Sequence, residues 1–184
     1  MVIFPTDTLY ALGCQALNAA AVERVRRAKG RDDGKPLPLV IADREQLSGL
    51  CARLPQALGP LAERFWPGPL SLVVPAGPNV PGAVTSGSGT VAVRVPALAF
   101  TRRVCRRVGP VVSTSANRAG NPAPSTCAMA IRELGAFATL AVDGGEGLAM
   151  PSTLVDLTGA EPRLLRPGAV PWDAVAAVLR DATS

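Results

Sequence analysis

The sequence predicts a single α/β domain, and three observations support this prediction. Short runs rich in Val, Leu and Ile alternate with segments of helical composition, which is typical of strands and helices packed in layers. The 184 residues are enough for one domain with a substantial core. Apolar residues make up 48% of the chain and charged residues only 18%, which excludes a disordered chain. We expect residues 1–184 to form one domain, because we find no internal repeat and no linker.

The first half of the chain is predicted to alternate between strands and helices. An apolar strand occupies residues 2–5, directly after the first methionine. Residues 19–29 are predicted to be helical, because two valines fall on one side and arginines on the other. Asp43 and Gln46 have the spacing of a capping box, which predicts a helix that runs towards Leu54. The other predicted elements of this half are a buried strand at 37–42, a helix at 55–66 and a strand at 70–74.

The second half is predicted to continue the same pattern after a loop rich in Gly, Pro and Ser at residues 76–89. Valine-rich runs predict strands at 90–95 and 111–114. The second of these runs leads into a polar segment that ends at Asn117. The remaining predictions are helices at 97–107, 125–134 and 172–180, and strands at 140–142, 152–157 and 163–165.

The absence of histidine excludes several classes of site. A Ser-His-Asp triad, a Cys-His pair and a His-based zinc site all need an imidazole. The four cysteines are scattered without a C-x-x-C pair; disulfides are not excluded, but isolated thiols in an apolar chain are typically small buried residues. Neither a signal peptide nor an 18-residue apolar run is present, so we expect a cytoplasmic protein with no membrane contact. The net charge of +5 fits an anionic ligand such as a nucleotide or tRNA, and it also fits many ordinary proteins.

The two lysines of the chain stand six positions apart, at Lys29 and Lys35, and all other basic residues are arginines. Lys presents a point charge to a single phosphate oxygen, so this placement suggests a phosphate site that also includes Arg31. The alternative is structural, because cations at the end of a helix are favoured by the helix dipole. Asp32 and Asp33 would also neutralise part of the charge.

Two further polar groups occur at the ends of predicted strands, where open α/β sheets bind ligands. The segment after the first strand carries hydroxyls at Thr6, Thr8 and Tyr10 together with one carboxylate. These groups form either a ligand site or a hydrogen-bonded turn. Arg94 closes an apolar run, so its guanidinium needs a partner, either a carboxylate ligand or a structural ion pair.

The last polar group is Ser113-Thr-Ser-Ala-Asn117, at the end of a valine-rich strand. Its hydroxyls, amide and free backbone N–H groups are typical of an anion-binding nest. A P-loop is excluded, because no Walker A pattern is present. A serine nucleophile is disfavoured, because no general base is available to activate it.

In this order the polar groups resemble the YrdC/TsaC family of threonylcarbamoyl-AMP synthases. The resemblance spans roughly residues 3–168, and eight blocks in register make it specific. It implies an open twisted mixed sheet flanked by helices, with a concave basic cavity. The blocks are FPTDTLYALG (4–13), KGRDDGKPL (29–37), FWPGPLSLV (65–73), VAVRVP (91–96), STSANRAGNPAPST (113–126), DGG (143–145), PSTLVD (151–156) and RPG (166–168).

The resemblance implies an enzyme that makes L-threonylcarbamoyl-AMP from ATP, L-threonine and bicarbonate and releases pyrophosphate. A downstream transferase complex would then place the threonylcarbamoyl group on tRNA. Three anionic species meet in such a site, so cations and N–H donors are needed most. Mg²⁺ would enter with ATP, without a metal ligand from the protein and without zinc, haem or flavin.

Residue roles follow from the matching motif positions, and they consist of positioning and charge stabilisation, above all by Lys29, Arg31 and Arg94. Arg94 is expected to clamp the threonine carboxylate. The implied ATP ligands are Lys29, Arg31, Ser115, Asn117 and Arg166. The implied threonine ligands are Thr8, Arg94, Thr114 and Ser152, and the implied cavity-lining residues are Thr6, Tyr10, Lys35 and Ser113.

The sequence departs from the family pattern at Ala11, Val40 and Ala119, which replace Gly, His and Ser. We also expect a short N-terminus and no additional C-terminal domain. The main alternative function is a non-catalytic RNA- or nucleotide-binding module of the same fold, with double-stranded RNA or tRNA as partner. One Tyr, two Trp and four Phe are few for base stacking, which disfavours this alternative. A carbamoyl-transfer paralogue, as in hydrogenase maturation, normally needs additional domains.

Overall fold

The computed structural model describes residues 1–30, 34–148 and 150–182, and its strands form two mixed sheets with helices packed against them. The strands of these residues are β1 (Val2–Phe4), β2 (Ala11–Gly13), β3 (Leu39–Val40), β4 (Leu70–Pro75), β5 (Thr90–Arg94), β6 (Val111–Val112), β7 (Thr114–Ser115), β8 (Leu140–Ala141), β9 (Thr153–Asp156) and β10 (Arg163–Arg166). The helices are α1 (Ala19–Ala28), α2 (Leu58–Phe65), α3 (Gly82–Thr85), α4 (Ala99–Val108), α5 (Cys127–Leu134) and α6 (Trp172–Asp181), with 3-10 helices at Arg44–Gly49 and Gly135–Phe137.

The smaller sheet has the strand order β7-β2-β1-β8. Strands β1 and β2 form an antiparallel hairpin with Ile3 opposite Leu12. Strand β7 pairs antiparallel with β2, so that Ser115 lies opposite Ala11 at the start of β2. The hairpin loop at residues 5–10 and the chain that follows Ser115 therefore lie at the same end of this sheet.

The larger sheet has the strand order β10-β9-β4-β5-β3-β6. Strand β4 is antiparallel to β5, so the start of β4 lies beside the end of β5 at Arg94. Strand β9 is parallel to β4, with Thr153 opposite Leu70. Strand β10 is antiparallel to β9 and ends at Arg166, opposite Leu154. Arg94, Arg166 and the residues just before β9 thus lie at the same end of the larger sheet.

A continuous apolar cluster holds the two sheets and the helices together. Helix α1 contributes Val22 and Val25, which are fully buried, and Asn18 caps its first turn by accepting from the Ala21 N–H at 3.0 Å. Full burial of a Val or Leu side chain contributes about 1.5–3 kcal/mol. This cluster also includes buried residues of both sheets, among them Leu12 and Val93.

The α/β class, the mixed strands and the flanking helices agree with the sequence-based prediction, and several local features differ. Strands are divided between two sheets, and β6 and β7, predicted as one strand, lie in different sheets on either side of Ser113. Strand β2 and helix α3 were not predicted. No helix in the described ranges is long and apolar enough to span a membrane.

The predicted capping box at Asp43 is wrong. Asp43 makes no side-chain capping bond, and the segment that follows is a 3-10 helix, Arg44–Gly49. Gln46 instead accepts from the Ala42 N–H at 2.9 Å and donates to the Cys105 carbonyl at 3.0 Å. Gln46 thus links the backbone just before the 3-10 helix to α4.

Candidate functional site

The candidate site lies where the two sheets meet, and Arg94 makes the connection. Arg94 ends β5 in the larger sheet and is only 5% exposed. Its Nη1 donates to Oδ1 of Asp7 at 2.8 Å, and its Nη2 donates to the Thr8 hydroxyl at 3.3 Å. Asp7 and Thr8 belong to the hairpin loop of the smaller sheet. A buried guanidinium therefore joins the two sheets at their polar ends.

The hairpin loop is shaped by the hydroxyl of Thr6. This oxygen accepts from the N–H groups of Thr8 and Leu9 at 3.1 and 3.2 Å and donates to the Leu9 carbonyl at 2.7 Å. The Thr6 and Thr8 hydroxyls also lie 3.0 Å apart. Thr6 thus forms the turn that the structural alternative predicts, whereas the hydroxyl of Thr8 faces Arg94.

The ion pair between Arg94 and Asp7 uses one oxygen of the carboxylate. Burial lowers the pKa of Arg94 from its usual value, and the charge of Asp7 and its hydrogen bond oppose that shift. The second oxygen, Oδ2, is buried and has no hydrogen-bond partner within the described residues. Asp7 was not assigned a role from the sequence, although the carboxylate between two threonines was a visible signal.

The second arginine of the site is Arg166, at the end of β10. Its Nε and Nη2 donate to the Ser152 carbonyl at 3.2 and 2.9 Å, and Nη2 also donates to the Ser152 hydroxyl at 3.1 Å. Burial is the largest cause that lowers the pKa of Arg166 from its usual value, and the like charge of Arg94 lowers it further. The Ser152 hydroxyl lies 2.8 Å from that of Ser71 in β4, a residue that sequence reasoning missed.

The close approach of two chain segments fixes the position of Ser152. A Cβ on Gly168 would lie 2.4 Å from the Pro151 carbonyl oxygen and 2.5 Å from the Ser152 carbonyl carbon, so only glycine fits there. The RPG motif thus places the Arg166 guanidinium against Ser152 by bringing the backbone that follows it next to Pro151.

Lys29 and the segment 115–117 form the other half of the candidate site. Lys29 is only 2% exposed, and its ammonium donates to the Ser115 carbonyl at 2.6 Å, to the Asn117 side-chain oxygen at 3.0 Å and to the Asn117 carbonyl. The Asn117 amide group donates to the Asn121 carbonyl at 2.5 Å. The ammonium of Lys29 thus holds the polar segment in position, and its role as a phosphate ligand stays a prediction.

Tyr10 lies on the inner side of the hairpin loop, fully buried at 1% exposure. Its hydroxyl donates to the Gly145 carbonyl at 2.6 Å or to Oδ1 of Asp143 at 3.0 Å, and accepts from the Gly144 N–H at 2.9 Å. Burial is the largest cause that raises the pKa of Tyr10 above its usual value. Tyr10 therefore anchors the DGG motif beside the site.

The other predicted residues occupy less central positions. Thr114 is buried in β7, and the half-buried Ser113 donates its N–H to the Pro38 carbonyl at 2.9 Å. Lys35 is exposed, and its carbonyl accepts from Arg26 and Ser86. Arg31 lies outside the described residues.

Two of the three departures from the family pattern lie in strands, and the third lies in a turn. Ala11 is buried in β2 opposite Ser115, Val40 is buried in β3 in register with Arg94, and Ala119 is exposed.

Within the described ranges no group of three or more His, Cys, Asp or Glu side chains comes together. Two surface grooves, one against α2 and α6 and one beside α4, are lined by none of the candidate residues, so the concave basic cavity stays a prediction.

The described contacts define what this site can bind. Arg94 and Arg166 end strands at the same end of the larger sheet, and they donate to the hydroxyls of Thr8 and Ser152, respectively. A buried ammonium supports an adjacent loop. Such donors are suited to a ligand with several anionic groups, and one unpaired carboxylate oxygen is suited to a cationic group on the same ligand.

Comparison with known proteins identifies the family to which the chain belongs. The family model Sua5_yciO_yrdC, described as telomere recombination, matches residues 1–168. The chain is 40% identical over 181 residues to the threonylcarbamoyl-AMP synthase of Pyrococcus abyssi, and the match covers 97% of this chain and 53% of that protein. It is 43% identical over 169 residues to the threonylcarbamoyl-AMP synthase of Thiobacillus denitrificans, covering 90% of this chain and 88% of that one.

The crystal structure of P. abyssi Sua5 complexed with L-threonine superposes with a TM-score of 0.93, again over 97% of this chain and 53% of that one. The chain thus spans about half the length of this relative. The matched residues include all candidate positions up to Arg166, which lie inside the range of the family model. The chain belongs to the Sua5/YciO/YrdC family.

Proposed function

We propose that the chain is an L-threonylcarbamoyladenylate synthase, which converts ATP, L-threonine and bicarbonate into threonylcarbamoyl-AMP and pyrophosphate. One observation carries the proposal: the whole described site lies in a fold that superposes at a TM-score of 0.93 on a relative crystallised with L-threonine. The reaction makes the protein a nucleotidyltransferase, and its product would serve the threonylcarbamoyladenosine modification of tRNA.

The threonine end of the site is proposed at Arg94 and Ser152. A planar guanidinium binds a carboxylate through two parallel hydrogen bonds, which fixes the orientation of the substrate as well as its position. The hydroxyls of Thr8 and Ser152 already contact Arg94 and Arg166 at 3.3 and 3.1 Å. We assign four residues to threonine binding: Thr8, Arg94, Thr114 in β7 and Ser152.

The ATP end is proposed at Ser115, Asn117 and Arg166, with Arg31 from the same motif as Lys29. The ammonium of Lys29 donates to two backbone carbonyls and one side-chain oxygen of the segment 115–117. We propose that Lys29 contributes to ATP binding by placing positive charge beneath this segment and by holding its backbone in position.

The proposed chemistry needs no nucleophilic side chain. The amine of threonine attacks bicarbonate and gives a carbamate, with loss of water. A carbamate oxygen then attacks the α-phosphorus of ATP, and the bond to the departing pyrophosphate breaks. Arg94 and Arg166 would hold the anionic groups together, and such positioning lowers the barrier by reducing the entropy lost on reaction. Mg²⁺ would enter with ATP and neutralise the triphosphate.

The partners of this reaction follow from its product. Threonylcarbamoyl-AMP is a mixed anhydride, so a transferase complex must accept it and deliver the threonylcarbamoyl group to tRNA. Contact of this chain with tRNA is part of the proposal. An enzyme that consumes ATP for tRNA modification would act in the cytoplasm.

The test is pyrophosphate release with ATP, threonine and bicarbonate, each omitted in turn. We expect release only when all three are present. Arg94→Ala should abolish the threonine-dependent release, because no other described guanidinium contacts both Asp7 and Thr8. Arg163→Ala is the matched control, since Arg163 also pairs with an aspartate, Asp156, but is 73% exposed.

Two results would contradict the proposal. Release that persists without threonine would exclude a threonine-dependent synthase, and unchanged turnover in Arg94→Ala would exclude the assigned site. Absent turnover combined with steeply salt-dependent tRNA binding would instead favour the RNA-binding module.

A further inference from the structure

We propose that Asp7 is a specificity residue of the amino-acid site, and that its Oδ2 atom accepts a hydrogen bond from the α-ammonium group of the substrate. The inference rests on the proposed function, because it assumes that a free amino acid binds beside Arg94. It adds to that function the group that distinguishes an amino acid from any other carboxylate.

The first step is that only one of the two carboxylate oxygens of Asp7 has a hydrogen-bond partner within the described residues. Oδ1 accepts from Nη1 of Arg94 at 2.8 Å. Oδ2 is buried and has no partner, and it is the one buried side-chain oxygen or nitrogen of the described chain in this condition. The Asp7 side chain is 11% exposed, so bulk water reaches little of it.

The second step is that an unpaired buried carboxylate oxygen is unfavourable. Removing a charged acceptor from water costs free energy unless a donor replaces the lost hydration. Folded proteins therefore satisfy nearly all such atoms, and an exception at a ligand site indicates that the ligand supplies the missing donor. A cationic donor would compensate best, because hydrogen bonds between ionised groups are the strongest.

The third step is that the pair of Arg94 and Asp7 matches the charges of an amino acid. An amino acid carries a carboxylate and an ammonium on the same carbon atom. Arg94 and Asp7 present a cation and an anion in direct contact, at 2.8 Å. A carboxylate on the guanidinium thus brings the neighbouring ammonium towards Oδ2.

The test compares L-threonine with 3-hydroxybutyrate, which lacks the amino group and keeps the carboxylate and hydroxyl. Binding is measured by isothermal titration calorimetry on the wild-type chain and on Asp7→Asn. We expect the wild type to prefer threonine by at least about tenfold, the usual value of a charge-assisted hydrogen bond. In Asp7→Asn the amide carbonyl still accepts from Arg94, but a neutral N–H₂ group replaces Oδ2. The preference for threonine should then fall to about threefold or less.

Asp156→Asn is the matched control. Asp156 also pairs with an arginine, Arg163, and its side chain is 15% exposed, but the described hydrogen bonds of its carboxylate are with Thr158 and Arg163. The preference for threonine should remain at its wild-type value in this variant. The melting temperature of each variant shows that it is folded.

The outcomes separate the inference from the proposed function. If Asp7 only positions Arg94, Asp7→Asn weakens both ligands equally and the preference stays tenfold, which overturns the inference. If the wild type binds 3-hydroxybutyrate as tightly as threonine, the inference fails even where Asp7→Asn does not fold. A wild type that binds neither ligand overturns the proposed function itself, and the inference with it.

Discussion

The ammonium of Lys29 lies 3.0 Å from the side-chain oxygen of Asn117 and also donates to the Asn117 carbonyl, across a sequence separation of 88 residues. The C-terminal end of α1 and the segment after β7 are therefore joined by a buried cation. An ammonium has three N–H donors, and three described acceptors of residues 115 and 117 meet it. The candidate phosphate-binding segment depends on this lysine for its shape.

Replacing Lys29 by Met should destabilise the protein and disorder the segment. The two carbonyls and one side-chain oxygen would lose their donor in a buried place, and each such loss costs about 1–3 kcal/mol. We expect the free energy of unfolding in urea to fall by at least about 2 kcal/mol. Lys35→Met is the control for stability, because Lys35 is exposed. Equal stability of the two variants would contradict the structural role of Lys29.

The single tyrosine of the chain should titrate above its usual pKa of 10.0. Burial disfavours the tyrosinate, so Tyr10 keeps its proton at a pH where an exposed tyrosine loses it. Its stabilising effect is fully present below pH 10 and is lost as the pH rises through the native pKa. Absorbance at 295 nm measures the transition, which should move to about 10 in guanidinium chloride. Tyr10→Phe should lack the transition, and a native midpoint at or below 10 would contradict the raised pKa.

Gly168→Ala should weaken threonine binding and lower stability together. The added Cβ would lie 2.4 Å from the Pro151 carbonyl oxygen and 2.5 Å from the Ser152 carbonyl carbon and the Thr153 nitrogen. Backbone atoms on both sides have to shift, which costs about 1–3 kcal/mol. Displacement of Ser152 should raise the KM for threonine.

Gly159→Ala is the matched control for that prediction, in the turn between β9 and β10. The nearest atom to its added Cβ is the Glu161 carbonyl oxygen at 3.7 Å, an ordinary contact. Its melting temperature and its KM should equal those of the wild type. A Gly168→Ala variant that behaves in the same way would mean that the approach of residues 151 and 168 is not needed for the site.

The cysteines should react slowly with Ellman's reagent in the folded protein. Burial raises the pKa of Cys14 and of Cys51 from 9.0 to about 11, and that of Cys105 to about 12. At pH 8 a thiol with a pKa of 11 has roughly a hundredfold less thiolate than one with a pKa of 9, and thiolate is the reactive form. Four thiols should react quickly in denaturant. Fast reaction of Cys14 or Cys51 in the native state would contradict these shifts.

Local sequence patterns predicted the helices and strands whose apolar side faces the core. Residues 19–29 have a buried stripe that includes Val22 and Val25, and the structure has α1 at Ala19–Ala28. Strand β2 was missed because its three residues, Ala11–Gly13, are too few to show the residue pattern of a strand. Pairing with β1 and β7 holds them in this conformation. The division between β6 and β7 was missed for the same reason, since pairing partners far away in sequence decide it.

The site was predicted in part, because motifs identify residues and not their partners. The sequence placed Arg94 in a buried strand and required a partner for it, which the structure supplies as Asp7. The lysine motif was equally compatible with a phosphate site and with structural charges at the end of a helix. Only the fold shows that Lys29 reaches the segment 115–117 while Lys35 is exposed. No sequence pattern pointed to Ser71 as a site residue. A serine within an apolar strand can be placed in the site only when the fold shows its hydroxyl next to that of Ser152.

The chain crosses from the larger sheet to the smaller one at Ser113, between Val112 and Thr114. At this crossing the backbone link between the two sheets is one residue long. A rotation of one sheet relative to the other would change the backbone torsions of Ser113. The N–H of this residue donates to the Pro38 carbonyl at 2.9 Å. The placement of Thr114 in one sheet relative to Arg94 in the other is therefore limited by covalent geometry as well as by packing.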